Sequence, residues 1–352
     1  MKLLFGSLLV IMLALTGCGQ QGAEPESEQA AADTAAETAE GAAPQADEAW
    51  EAMMAQLQDV ETDGEKVPII KAFVKENPNH ERAAYALSGM IYYLGDDQAA
   101  LKEGLRFSRE VLPSVTEADI RREMQLELVG LYGRLGDEAS LAAAADELAS
   151  AKPLGYPEHD SITEAALEAG AWELAATHAE AGLALATPEA FRADYPERNF
   201  TDEDVADAVR RRTAASYAGK GWALANLGRT DEALAAFAAG SGSVKHNYVG
   251  IPDSPLFSYW GRTLAEAGKN EKAMDMLVID AILGGDEEAM DALNGAYVAA
   301  RGEAGFEDYL LQNRRRLAKK IDDFTLNNYQ GEPLTFSQLK GQVVLLSFWF
   351  PS

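Results

Sequence analysis

The feature that most constrains the fold is a short phrase, an apolar residue followed by glycine, which recurs five times along the middle of the chain. The glycines are Gly95, Gly136, Gly170, Gly228 and Gly268. Each lies between two stretches whose apolar residues recur with the period of an amphipathic helix. A helix pair cannot bury its apolar face alone, so the repetition predicts a mainly α structure in which successive pairs stack on one another.

The two clearest copies align over a whole repeat. Tyr217, Gly221, Leu224, Gly228, Ala233, Phe237 and Gly240 match Phe257, Gly261, Leu264, Gly268, Ala273, Leu277 and Asp280. These spacings resemble the tetratricopeptide repeat, in which helices A and B cross so closely that only a small residue fits between them. The resemblance implies a helical solenoid with the signature residues Tyr217, Gly221, Gly228, Ala233, Phe257, Gly261, Gly268 and Ala273. A merely similar all-helical solenoid is the alternative.

The repeat is irregular. Successive glycines lie 41, 34, 58 and 40 residues apart, against about 34 in the regular repeat. The longest gap predicts an insertion over 187–208, ended by a helix for which Thr201 is a suitable N-cap. A degenerate pair is predicted over 287–320, so the helical region is expected to span 49–320.

Tetratricopeptide arrays bind peptides or proteins in the groove lined by their A helices, so the resemblance implies a protein or peptide partner. Six aromatic residues are candidates for lining this groove. They are Tyr92, Tyr93, Tyr132, Trp222, Tyr259 and Trp260. Aromatic residues at helical spacing more often belong to the core, and the sequence leaves both interpretations open.

The first residues indicate export. A short apolar run follows Lys2, and Leu15-Thr16-Gly17-Cys18 resembles the bacterial lipobox. The resemblance implies a signal peptide over 1–17, cleavage between Gly17 and Cys18, and a lipid on Cys18 that anchors the protein to a membrane. Gly19, rather than Asp, favours the outer membrane facing the periplasm. Residues 18–48 are rich in alanine and acids and predict a disordered tether.

Composition excludes several functions. A net charge of −27 makes nucleic acid an unsuitable partner. Because Cys18 is the only cysteine and is assigned to the lipid, this chain holds no disulfide or thiolate nucleophile. We expect no cofactor.

No metal site is predicted either. None of the four histidines, His80, His159, His178 and His246, pairs with another at metal-ligand spacing. Glu158-His159-Asp160 could form a metal or acid–base cluster, but it follows Pro157, and we interpret it as a solvated turn. His178 is interpreted as a surface or packed helix residue.

The period changes from helical to extended after residue 321. Asp323 to Leu326 predicts a strand, Tyr329 to Pro333 a turn, Ser337 to Gly341 a helical turn, and Val343 to Phe350 a buried strand. This segment resembles the opening of a thioredoxin-like domain of the TlpA-like or redoxin type. The fold class implied for the whole chain is therefore a helical solenoid followed by the beginning of an α/β domain, over 321–352.

In that family the Phe-Trp of the strand shortly precedes the nucleophilic cysteine of a Cys-x-x-Cys motif. The matching remnant here is Phe348, Trp349, Pro351 and Ser352, so the active site is expected beyond Ser352 and no catalytic residue is assigned within the chain. Two explanations remain open: a fragment of a longer protein, or a UGA codon for selenocysteine read as a stop.

Two functions follow from these patterns. The first is an envelope lipoprotein in which a protein-binding repeat is fused to a thiol-disulfide oxidoreductase. The second is a lipoprotein adaptor without enzymatic activity, in which the repeat is the whole working part.

Overall fold

The computed structural model describes residues 43–196, 198–247, 250–318, 322–327 and 333–339. The chain divides into two compact units between Glu51 and Ala52. In the first unit the described residues belong to the N-terminal part of helix α1. All other described elements belong to the second unit.

The described residues are mainly helical, as the repeat predicts. The helices are α1 (Ala43–Gln58), α2 (Asp63–Glu76), α3 (Ala83–Tyr93), α4 (Gln98–Val111), α5 (Ala118–Leu135), α6 (Glu138–Ala151), α7 (Tyr156–Ala169), α8 (Trp172–Ala184), α9 (Pro188–Asp194), α10 (Asp202–Asn226), α11 (Thr230–Gly240), α12 (Leu256–Glu266), α13 (Asn270–Ile279), α14 (Glu287–Arg301) and α15 (Phe306–Leu317). Helix α1 begins at Ala43 rather than at residue 49, since alanine is a strong helix former and Pro44 suits a first turn. No helix in these ranges is long and apolar enough to cross a bilayer.

Each of the five glycines of the repeated phrase follows the first helix of a helix pair and ends it. Their φ angles are +60° at Gly95, +66° at Gly136, +80° at Gly170, +75° at Gly228 and +70° at Gly268. Only glycine adopts this left-handed conformation without steric cost, so the residue type sets the tight turn between the two helices.

The turns organise the helices into two sets. We call α3, α5, α7, α10 and α12 the A helices and α4, α6, α8, α11 and α13 the B helices. Each B helix packs on the A helix before it and on the next A helix or, for α13, on α14, and neighbouring A helices also pack together. This is the helix order of a tetratricopeptide-like solenoid.

Small residues permit the close helix crossings. A Cβ atom on Gly221 of α10 would lie 2.4 Å from Phe237 Cε1 of α11, and one on Gly261 of α12 would lie 2.5 Å from Leu277 Cγ of α13. Ala233 and Ala273 are fully buried at the same crossings. Phe237 and Leu277 are also fully buried and belong to two core clusters, and the partly buried Trp260 packs against both clusters.

The insertion contains a helix of its own. Helix α9 packs Phe191 against Phe200, Val205 and Ala208, so the insertion carries a small apolar cluster. Thr201 caps α10 as the sequence predicts: its Oγ1 accepts the Asp204 N–H at 3.1 Å, and Asp204 Oδ2 accepts the Thr201 N–H.

A π-helical segment, Asp280–Gly284, follows α13 and was not predicted. It places the Asp280 side chain in the interior, where it is 8 % exposed. Helices α14 and α15 then complete the helical region, as expected for the degenerate last pair.

The C-terminal segment forms a two-stranded antiparallel hairpin. Strand β1 (Thr325–Asn327) pairs with β2 (Pro333–Thr335), with Leu326 opposite Leu334. Pro333 thus lies in a strand rather than ending a turn, which is compatible with proline because an edge strand needs no N–H donor there. A 3₁₀ helix over Phe336–Leu339 matches the predicted helical turn. The predicted strand from Val343 to Phe350 lies outside the described residues.

Candidate functional site

The A helices present a shared surface, which we call the A-helix face. Side-chain interactions connect it from helix to helix. A hydrogen bond links Glu127 of α5 to Ser88 of α3, the charge of Arg134 of α5 acts on Glu168 of α7, and Glu164 of α7 interacts with Tyr259 of α12. The side chains of the A-helix face therefore form one connected surface.

Helix α5 contributes two carboxylates one turn apart. Burial raises the pKa of Glu127 to about 7, the like charge of Glu123 adds to the rise, and the Ser88 hydrogen bond opposes it. Burial also raises the pKa of Glu123, with Asp119 as the nearby like charge. At neutral pH, Glu127 is thus partly protonated.

Helix α7 contributes three more carboxylates, at i, i+4 and i+8, which are Asp160, Glu164 and Glu168. Desolvation, then the charges of Asp160 and Glu168, raise the pKa of Glu164 to about 7. The Glu164 side chain is nevertheless solvent-accessible. Burial raises the pKa of Asp160 and of Glu168 as well, and Arg134 partly offsets the rise at Glu168.

An aromatic stack lies toward α12. The Trp222 and Tyr259 rings are nearly parallel at 14°, with centroids 4.7 Å apart. The Arg262 guanidinium lies 4.4 Å from the Trp222 centroid, and its Nη1 is 2.6 Å from Glu288 Oε2 of α14. Burial raises the pKa of Tyr259 to about 12, and Arg262 opposes the rise.

A buried carboxyl lies behind this end of the face. Burial and the charge of Asp286 raise the pKa of Asp280 to about 7, against a hydrogen bond from the Ser258 N–H. Its Oδ2 has no hydrogen-bond partner among the described residues. Asp286 also acts on the Tyr259 phenol, so it connects the buried acid with the A-helix face.

Two histidines that do not lie at metal-ligand spacing along the chain form a hydrogen-bonded pair in the fold. His159 Nδ1 of α7 lies 3.0 Å from His178 Nδ1 of α8. Burial lowers both pKa values, that of His178 to about 4 with His159 as a further cause, so a neutral pair with one shared N–H is favoured. The residues lie in adjacent helices that cross closely, which spacing along the chain does not reveal.

The interpretation of Glu158-His159-Asp160 as a solvated turn is wrong. These residues form the first turn of α7, whose start Pro157 favours rather than prevents. Glu158 is 2.9 Å from Arg122 Nε and caps the Gly155 N–H, and Asp160 is 3.3 Å from the Tyr156 hydroxyl. No group of three or more metal-ligand side chains occurs in the described part of the chain.

The signature residues of the repeat lie at helix crossings, in turns and against the core. Gly221, Ala233, Gly261 and Ala273 are buried at helix crossings, and Gly228 and Gly268 form turns. Tyr217 and Phe257 pack against the core cluster of α10 to α12.

The six candidate aromatic residues divide between the core and the surface. Tyr92 is 77 % exposed, whereas Tyr132 is buried and Trp260 packs against the core. Trp222 and Tyr259 form the partly exposed stack. The sequence did not single out the acids, although their i, i+4 spacing on α5 and α7 was a signal that could have revealed them.

The lipobox residues Gly17 and Cys18 and the remnant Phe348, Trp349, Pro351 and Ser352 lie outside the described residues.

Comparisons with known proteins give structural resemblance without a match in sequence. No family model matches the chain, and no curated protein matches it. A tetratricopeptide repeat protein from Parabacteroides merdae ATCC 43184 is similar in structure with a TM-score of 0.42 and 13 % sequence identity, over 78 % of this chain and 91 % of that one.

Proposed function

We propose that the helical repeat is a protein-binding module and that its partner docks on the A-helix face. The observation that carries the proposal is the exposure of aromatic side chains there. Tyr85 and Tyr92 of α3 are 53 % and 77 % exposed, and the Trp222–Tyr259 stack lies on the same face. Large aromatic side chains on a surface are enriched at protein interfaces.

Site-specific photocross-linking in the native cell tests this proposal. A photoreactive residue is placed at Tyr92 or at Asn226 on A helices, and at Lys102 or Ala238 on B helices as matched exposed controls. We expect adducts from the A-helix positions and none from the controls. Adducts only from the B-helix positions, or from none of the four, would refute the assignment.

We propose further that the protein is held at the cell envelope, on the outer membrane facing the periplasm, by a lipid on Cys18. The lipobox resemblance supports this, and two acyl chains suffice for durable anchoring. Labelling with a fatty-acid analogue should mark the wild type and not Cys18→Ser, and fractionation should find the variant off the membrane. Equal labelling of both forms would contradict the proposal.

The finer proposal is that the repeat recruits substrates for a thioredoxin-like domain that begins near residue 321. Its support is the sequence resemblance over Asp323 to Trp349. An insulin-reduction assay compares the chain extended through the downstream reading frame with the 352-residue form. Activity in the extended form alone supports the oxidoreductase, and activity in neither supports the adaptor.

A further inference from the structure

We propose that the segment docking on the A-helix face is cationic, a stretch of a partner protein rich in lysine and arginine. The inference deepens the proposed function and rests on it. It commits to the charge of the partner, which the cross-linking experiment leaves open.

The first argument is the state of the carboxylates on this face. Among the residues that the structure describes, Glu123, Glu127, Asp160, Glu164 and Glu168 form no ion pair with a lysine, arginine or histidine within 4.0 Å. Several acids on other helices are paired. On α4, Glu103 lies 3.1 Å from Lys71 and 2.7 Å from Arg106, and Glu110 lies 3.1 Å from Lys75. Arg134 and Arg212 act on Glu168 and Asp160 without forming an ion pair with them. The A-helix face therefore keeps carboxylates that no described cation contacts directly.

The cations of the face itself are already engaged. Arg134 donates to the Gly95 carbonyl and, at 3.2 Å, to Asp96. Arg262 is held between Glu288 and the Trp222 ring. Behind the face, the unpartnered Oδ2 of Asp280, a side chain more than nine-tenths buried, adds to the electronegative character of the α12 end.

The exposed tyrosines provide an independent argument. Tyr85 and Tyr92 lie three residues before and four residues after Ser88, the residue that bonds Glu127, so they share its side of α3. Tyrosine faces attract ammonium and guanidinium groups. Lys66 already lies 4.5 Å from the neighbouring Tyr93 centroid. Aromatic rings beside unpaired carboxylates suit lysine and arginine side chains and suit acidic ones poorly.

Desolvation gives the interaction a pH signature. Glu127 and Glu164 have pKa values of about 7 in the free protein, and a docked cation favours their charged forms. The groups acting on Glu127 are Ser88 and Glu123, and those acting on Glu164 are Asp160, Glu168 and Tyr259. None of these groups is a cation that would favour the charged carboxylates. The docked segment therefore has to displace the protons of Glu127 and Glu164.

The test is fluorescence anisotropy with the full chain purified in detergent. The probe is a labelled peptide of about twelve residues with alternating basic and small residues, and the comparison peptide has glutamate at each basic position. We expect the basic peptide to bind at pH 8 and the acidic peptide not to bind. Between pH 8 and pH 6 the affinity should fall by about tenfold for each carboxylate that titrates near pH 7.

Two double variants locate the binding. Glu127→Gln with Glu164→Gln should weaken binding at pH 8 by about tenfold and remove most of its pH dependence. Asp146→Asn with Asp275→Asn removes the same charge from exposed positions on α6 and α13 and should change affinity by less than about twofold. The acidic tether is present in every form, so its attraction for the peptide cancels. Circular dichroism of both variants checks that they fold.

The outcomes separate this inference from the proposed function. Equal weakening by both variants, preferred binding of the acidic peptide, or no binding of the basic peptide would overturn the cationic partner. If cross-links from Tyr92 persist in that case, docking on the face stands with another partner chemistry. Loss of the face-specific cross-links would instead overturn the proposed function itself.

Discussion

Substituting Gly133 by alanine tests the packing that brings the A helices together. A Cβ atom at this position of α5 would lie 2.7 Å from both Cα and O of Ala165 and 2.9 Å from its Cβ. Two of the three obstructing atoms belong to the backbone of α7, so no side-chain rotation relieves the contact. The two A helices must separate.

Gly130 provides the matched control. It lies one turn earlier on the same helix, and a Cβ there meets no atom within 4 Å. Alanine favours a helix over glycine by up to about 1 kcal/mol, so Gly130→Ala should raise the free energy of unfolding by roughly that amount. Gly133→Ala gains no more from propensity and loses about 1–3 kcal/mol to overpacking, so we expect the two variants to differ by about 2 kcal/mol.

Urea unfolding followed by circular dichroism measures the difference, and amide exchange locates it. Exchange is needed because repeat arrays open in parts rather than in one step. Gly133→Ala should speed exchange in α5 and α7 and leave α13 unchanged. If Gly133→Ala is as stable as Gly130→Ala, the claim that α5 and α7 pack closely at Gly133 is refuted.

Three further predictions concern single groups. Because the pKa of Asp280 is raised in the folded state, the free energy of unfolding should fall as pH rises from about 4 to 7, by up to about 4 kcal/mol. Asp280→Asn should abolish this decline in urea titrations. A pH profile of the variant that matches the wild type would refute the raised pKa. The folded-state pKa of His178 is lowered instead, so stability should be lost as pH falls from about 6.5 toward 4, by up to about 3 kcal/mol. His178→Gln keeps a hydrogen-bonding partner for His159 and should remove that loss, whereas a loss equal to that of the wild type would contradict a neutral pair. Thr201→Ala removes the N-cap of α10 and should cost about 1 kcal/mol, with faster amide exchange in its first turn; unchanged exchange there would show that the cap contributes nothing.

The helical architecture could be read from the sequence because its signals are local. A glycine between two amphipathic stretches specifies a turn wherever it occurs, and the N-cap of α10 depends only on Thr201 and Asp204. The start of α1 at Ala43 and the π-helical segment after α13 were missed. The alanine-rich stretch was assigned to the tether by composition alone, and a π segment depends on how the last turn packs.

The site was less predictable because its chemistry arises between helices. His159 and His178 meet only when α7 and α8 cross. The acids of α5 and α7 are visible in the sequence as charged residues one turn apart, which ordinarily indicates a solvated helix face. Their raised pKa values arise first from burial among packed helices, which no local pattern specifies, and only then from like charges on the same helix.

Amide exchange of the full chain, with and without the basic peptide, tests the central claim that the A-helix face is the docking surface. We predict added protection in A helices, chiefly α3, α5 and α7, and unchanged exchange in the B helices α4 and α6. Protection confined to the B helices, or spread equally over both sets, would contradict the account.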